Sequence, residues 1–164
     1  MDSTVLKKTF HDFTVIDIDG NEVELSRFKG KKVLAVNVAS KCGLTPQYED
    51  LQVLYDTYGP DKFVIIGFPS NNFLFQEPAS NERIKEFCTR EFNVSFPMMA
   101  KISVRGRKKH ELYKWLTESA KNGVSDAKVT WNFQKFLIDE EGRWLTSFAP
   151  KVKPMSKEIV SWLK

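Results

Sequence analysis

Cysteine is the side chain best suited to covalent redox chemistry near neutral pH, and this chain has two, Cys42 and Cys88. The two histidines, His11 and His110, are far from both cysteines in sequence. The four make no paired ligand spacing for zinc, so no metal and no cofactor is expected, and each histidine is expected to be a surface or capping residue. In a reducing compartment a permanent disulfide staple is not expected either. Redox chemistry or passive burial remains for each thiol. Cys42 stands in SKCGLTP, just after an apolar run and just before a helix-start signal. The free N–H groups and positive potential of a helix end favour a thiolate there, and Lys41 adds a neighbouring cation. The segment CGLT lacks the second thiol of a Cys-x-x-Cys pair, which disfavours a general disulfide oxidoreductase.

The elements that must position these residues are readable from pattern. Val33 to Ala39 (VLAVNVA) is a β-branched apolar run, expected as a buried central strand. Thr45 is a candidate cap and Pro46 a candidate first helical residue. Tyr48, Leu51, Leu54, Tyr55 and Tyr58 then recur on one helical face until Gly59-Pro60 stops it. Phe63 to Phe68 is a second buried strand, and strand–helix–strand order favours parallel pairing. Earlier, Phe13 to Ile18 and Glu22 to Leu25 flank Asp19-Gly20, a hairpin signature. Later, helices are expected from Ser80 to Arg90, about Lys109 to Ser119, and Ser156 to Leu163. A second hairpin joins Phe133–Ile138 to Arg143–Phe148. The class is α/β, a mixed central sheet flanked by helices with an N-terminal hairpin.

Bulk properties narrow the functions. At 164 residues, residues 1–164 are expected to form one domain. No apolar run reaches the length of a membrane span, and the N-terminus lacks a secretory pattern, so a cytoplasmic location is expected. The net charge of +4 is spread among acids. KGKK and RGRKK are the densest basic runs, and they read as solvated loops rather than a nucleic-acid face.

Three blocks in order carry a family resemblance: NVASKCGLTPQYEDL (Asn37 to Leu51), GFPSNNFLFQEP (Gly67 to Pro78) and VTWNFQKFLID (Val129 to Asp139). FPMMAKISV lies between the second and third. Together they resemble the glutathione peroxidases, over about residues 10 to 150. The resemblance implies a thioredoxin-like fold and a catalytic tetrad, with Cys42 as the peroxidatic residue and Gln76, Trp131 and Asn132 around it. The types suit the chemistry. Amide and indole N–H groups donate to a thiolate without taking its charge, and they can stabilise charge as the peroxide O–O bond breaks.

The second block commonly reads FPCNQFG in that family, whereas this chain has Ser70, Asn72 and Leu74 at the Cys, Gln and final Gly positions. The short Thr117–Lys128 segment is similar to that of the compact, non-selenium branch, which is typically monomeric and reduced by thioredoxin-type proteins. IKEFCTREF resembles the helix that bears the resolving cysteine of that branch, which implies this role for Cys88. The implied cycle is attack of Cys42 on a hydroperoxide, formation of a sulfenic acid, a Cys42–Cys88 disulfide, and reduction by a thioredoxin-like dithiol. Glutathione as reductant and a peroxide-sensing relay remain open beside it. The Cys88 helix is short, with Ile84 and Phe87 beside the thiol, and is expected to open during resolution.

Overall fold

The computed structural model describes residues 7–73 and 77–164. Thr14–Ile16 (β1) and Glu22–Glu24 (β2) form an antiparallel hairpin with Val15 opposite Val23. Asp17 shapes its turn by accepting the N–H groups of Asp19 and Asn21, both at 2.9 Å, and Gly20 supplies the left-handed residue at φ +90°. The strands are shorter than the pattern predicts because the chain leaves the hairpin at Asp17. It pairs there with Met99, and the Ile18 N–H donates to Met98 O.

The central sheet has four strands in the order β4-β3-β5-β6. Lys32–Val38 (β3) lies parallel to Phe63–Pro69 (β4) and antiparallel to Lys135–Ile138 (β5), which pairs antiparallel with Trp144–Phe148 (β6). Strand periodicity divides two cores. Val33, Ala35, Val64, Ile66, Phe136 and Ile138 join one apolar cluster; Leu34, Val36, Val38, Ile65 and Leu137 join the other. The hairpin and Glu111–Thr117 (α3) cover the first face through Val15, Leu112, Trp115 and Leu116. Gln47–Tyr58 (α1), Asn81–Phe92 (α2) and Lys157–Val160 (α5) cover the second through Tyr48, Leu51, Leu54, Ile84, Cys88 and Ile159. A sheet buried on both faces explains why β3 and β4 read as continuous apolar runs.

Several boundaries differ from expectation for local reasons. The helix expected from Lys109 to Ser119 is two pieces, because Glu118 is extended (φ −122°, ψ 115°) between α3 and Ser119–Asn122 (α4). His110 precedes α3, and its Nδ1 accepts the Leu112 N–H at 3.0 Å, a capping role. His11 is not at the surface: it is buried, with Gly142 packed so closely on its ring that a Cβ there would lie 2.8 Å from Nδ1. The last helix is a single regular turn, followed by tighter turns in which Trp162 and Leu163 donate to Ile159 O and Val160 O.

One buried charge fastens the C-terminal region. Lys135 is fully buried on β5 and donates to Gln47 Oε1 (2.6 Å), Pro150 O (2.8 Å) and Val152 O (2.6 Å). Burial pulls its pKa down, to about 7. The three oxygens oppose that pull, since three acceptors match the three N–H donors of an ammonium and exceed the two of an amine. Lys135→Met should therefore lower the unfolding free energy by about 2–4 kcal/mol, through orphaned acceptors. Urea denaturation measures it; a loss under about 0.5 kcal/mol would show that the oxygens find other partners.

Candidate active site

Cys42 lies in the loop between the C-terminal end of β3 and α1, a place where open α/β sheets present reactive groups. Its side chain is 7% exposed and belongs to the α1/α2-side cluster. Thr45 does not cap the helix as its type suggests. Its Oγ1 donates to Ala39 O (2.8 Å) and accepts the Cys42 N–H (2.9 Å), while the Thr45 N–H returns to Cys42 O (3.0 Å). These bonds close the loop into a small ring. Within it the Leu44 N–H donates to Cys42 Sγ at 3.3 Å, so a backbone donor of the turn entering α1 is spent on the sulfur.

Trp131 and Asn132 come from the segment before β5, and a residue that sequence reasoning left without a role brings them to the Cys42 end of the sheet. Asn37 is fully buried in β3. Its Nδ2 donates to Trp131 O (3.2 Å) and Asn132 Oδ1 (3.4 Å), and its Oδ1 accepts the Gln134 N–H (3.1 Å). Its backbone carbonyl accepts the Phe133 N–H at 2.6 Å. The available signal was its polarity inside VLAVNVA, since a polar group in a dry strand must be bonded. Phe133 adopts φ +72°, left-handed and costly for a bulky residue by about 1–3 kcal/mol. The Asn37 bond and an edge-on contact of its ring with Tyr48, 5.4 Å between centroids, hold it there. This twist delays β5 to Lys135, two residues later than the pattern suggests. Asn132 is fully buried; Trp131 is half-buried, touches the cluster that holds Cys42, and packs on Phe73 with centroids 5.4 Å apart.

Gln76 lies outside the described residues. The chain on either side of it is tied down. Ser70 N–H donates to Val38 O (3.0 Å), and the Ser70 hydroxyl bonds Asn72 Oδ1 (2.7 Å). Asn72 also accepts the Val104 N–H (2.7 Å), and Glu77 N–H donates to Asn71 Oδ1 (3.0 Å). Ser70 and Asn72, two of the departures from the family block, thus bond each other. Among the described residues no group of three His, Cys, Asp or Glu stands together to hold a metal.

Cys88 faces inward from α2 and is 2% exposed; both thiols are free. The helix is better held than the sequence suggests. Ser80 Oγ accepts the Arg83 N–H, and Asn93 closes the other end in the left-handed region, with Val94 N–H on Cys88 O. Phe92 extends it, and Phe87 and Phe92 pack on Tyr48 with centroids 6.4 and 5.4 Å away. Burial pushes the Cys88 thiol up to about 11, so it stays protonated while α2 is closed.

The comparisons with known proteins show the family and the fold. Residues 10–117 match the family model described as glutathione peroxidase. The glutathione peroxidase homolog BsaA of Halalkalibacterium halodurans is 46% identical, covering 90% of this chain and 93% of that protein. The glutathione peroxidase-like peroxiredoxin 2 of Saccharomyces cerevisiae is 46% identical, covering 94% and 97%. Among solved structures, T. cruzi GPX1 superposes with a TM-score of 0.73 at 34% identity, covering 95% of this chain and 94% of that one. A thioredoxin-family thiol:disulfide interchange protein of Chlorobium tepidum superposes at 0.67 with 17% identity, covering 98% and 99%, a likeness of fold alone.

The position of Cys88 gives a direct test. In Cys42→Ser protein at pH 7, iodoacetamide should label Cys88 on the order of 10² times more slowly than in the urea-unfolded chain. The folded value of about 11 exceeds the ordinary 9.0. The stability that the protonated thiol contributes is therefore complete below pH 9.0 and is lost as pH rises through about 11. Labelling at the unfolded rate would show that α2 does not shield the sulfur.

Proposed function

The chain belongs to the glutathione peroxidase family, and we propose that it is a thiol peroxidase in which Cys42 attacks hydrogen peroxide and organic or lipid hydroperoxides. The observation that carries this reading is the Asn37 clamp, which brings the Trp131–Asn132 segment to the end of the strand that leads into Cys42. The Cys42 thiolate displaces one peroxide oxygen and becomes a sulfenic acid, and the other oxygen leaves as water or an alcohol. The Leu44 N–H, the Trp131 indole, the Asn132 amide and Gln76 are the donors assigned to the sulfur and the departing oxygen. In resolution, α2 unwinds from Tyr48, Phe87 and Phe92, and Cys88 forms a disulfide with Cys42. The burial of Cys88 on a short helix supports an opening step, because a disulfide needs two accessible, adjacent sulfurs.

A thioredoxin-type dithiol then exchanges with the disulfide and restores both thiols, and residues 1–164 act as one monomeric domain in the cytoplasm. Two cysteines on separate elements suit a dithiol reductant, and the short Thr117–Lys128 segment, without a longer tetramer-building loop, supports the monomer. NADPH oxidation with thioredoxin and its reductase should run steadily, and glutathione with its own reductase should support much less. A single burst without turnover would instead favour a peroxide sensor.

Cys42→Ser should reduce peroxide turnover to background, because a hydroxyl is barely ionised at neutral pH. Cys88→Ser should consume one equivalent of peroxide without cycling on thioredoxin, and under excess peroxide a second equivalent should carry the Cys42 sulfenic acid to sulfinic acid, detected by mass. Full thioredoxin-driven cycling in Cys88→Ser would overturn the resolving role. Trp131→Phe should slow Cys42 oxidation by about 10²–10³-fold in stopped flow, the usual loss for one electrostatic donor.

A further inference from the structure

Glu77 is a carboxylic acid with no exposed surface. Its Oε1 accepts the Ser40 hydroxyl at 2.5 Å, and Ser40 belongs to the loop that carries Cys42 two residues later. Its Oε2 is buried with no hydrogen-bond partner. The Tyr48 hydroxyl on α1 is likewise buried and without a partner; it lies beside Cys88 Sγ without reaching hydrogen-bond geometry. The charge of Glu77 acts on both the Tyr48 hydroxyl and the Cys88 thiol. Buried polar atoms are almost always paired, because an orphan forfeits its hydration. Here two orphans and a buried thiol act on one another electrostatically, from the chain before α2, from α1 and from α2, and the first of them is bonded to the Cys42 loop through Ser40.

We propose that Glu77 is the proton relay of the resolving step: it takes the proton from Cys88 and returns it to the oxygen that leaves Cys42. The proposal rests on the resolving role given to Cys88 above. The Cys88 S–H bond breaks and its proton passes to the Glu77 carboxylate, through the Tyr48 hydroxyl while α2 is still closed. The Cys88 thiolate forms an S–S bond with the sulfenic sulfur. The S–O bond of the sulfenic acid breaks with its electron pair, and the departing hydroxide takes the proton from Glu77 to become water. One thiol and one sulfenic acid are consumed, one disulfide and one water are formed, and Glu77 ends as it began.

The site suits a group that must both accept and release a proton. Burial raises the Glu77 pKa from the ordinary carboxylate value, while the Ser40 bonds and the nearby Lys101 and Lys41 restrain the rise. The groups facing it are Ser40 and Lys41 from the Cys42 loop, Tyr48 from α1, Cys88 from α2, and Lys101 from the chain after α2. The Lys101 ammonium is spent on the carbonyls of Glu77 (3.2 Å) and Ala79 (2.7 Å). Its bonds are to the backbone, and among the described residues the carboxylate forms no ion pair. A Cys88 thiol pushed up to about 11 would otherwise offer almost no thiolate for the attack.

Glu77→Gln tests this, since its amide oxygen can still accept the Ser40 hydroxyl. Reduced protein is mixed with one equivalent of hydrogen peroxide, quenched with acid and alkylated. Peroxide loss and Cys42–Cys88 disulfide formation are followed separately by mass from pH 6 to 9. Peroxide loss should stay within about twofold of the natural protein. Disulfide formation at pH 7 should slow by about 10²-fold, a usual contribution of a positioned acid–base group, and should accelerate with rising pH where the natural protein is flat. Glu77→Asp should recover part of the rate. Disulfide formation in Glu77→Gln at the natural rate and pH profile would overturn the relay alone. A natural protein that forms no Cys42–Cys88 disulfide would overturn the resolving role and the relay with it. If Glu77→Gln does not fold, Tyr48→Phe serves instead, and an unchanged disulfide rate and pH profile there would overturn the proposal.

Discussion

A polar side chain inside a dry strand must be bonded, and the active end of this molecule is organised around that constraint at Asn37. The residue sits in a sheet covered on both faces, where an unpaired amide would forfeit hydration worth about 1–3 kcal/mol. Its bonds to Trp131 O and the Gln134 N–H fasten the segment before β5 to the end of β3. Phe133 takes its left-handed twist under the same restraint, and the twist sets where β5 begins. On the other side of Asn37 the chain runs into the Thr45 ring and Cys42. The Trp131–Asn132 segment is thus held by a single side chain and its carbonyl, and the Cys42 loop by Thr45.

The proposed resolving step calls for motion of α2, and the packing of that helix bears on it. Both of its ends are capped, and Tyr48 collects Phe87, Phe92 and Phe133 around one ring. Only Ile84 and Cys88 are fully buried along its length. Aromatic contacts of about 0.5–1.5 kcal/mol each add to what holds this helix in place. Its anchor, Tyr48, belongs to α1, which follows the Cys42 loop directly.

The strands and their pairing were legible in the sequence wherever period and composition agreed. Val33 to Ala39 and Phe63 to Phe68 could be little other than central strands, and the intervening helix made them parallel. Legibility failed where a side chain served a tertiary purpose in place of its usual local one. Thr45 reads as a helix cap but closes the Cys42 loop. Glu118 reads as helix interior but separates α3 from α4. At the site, the motif blocks point to Cys42, Gln76, Trp131 and Asn132 as candidates, and the structure describes how Trp131 and Asn132 are held. Asn37, Ser40 and Glu77 lie inside the same blocks. Their roles are pairings between residues 37 or more positions apart, and local spacing carries no trace of those.

The sheet order has a consequence for the protein's birth. Strand β3 borders Cys42, yet its neighbour β5 is made near the end of synthesis. At about 5–20 residues per second, a nascent chain carries its reactive sulfur for several seconds before Trp131 and Asn132 emerge from the ribosome. During that interval β3 can pair only with β4, and one of its edges is open. The thiol then stands on an unfinished sheet, exposed to oxidants before the segment proposed to surround it has been made. Chaperone cover of that edge would protect the sulfur and the fold at the same time.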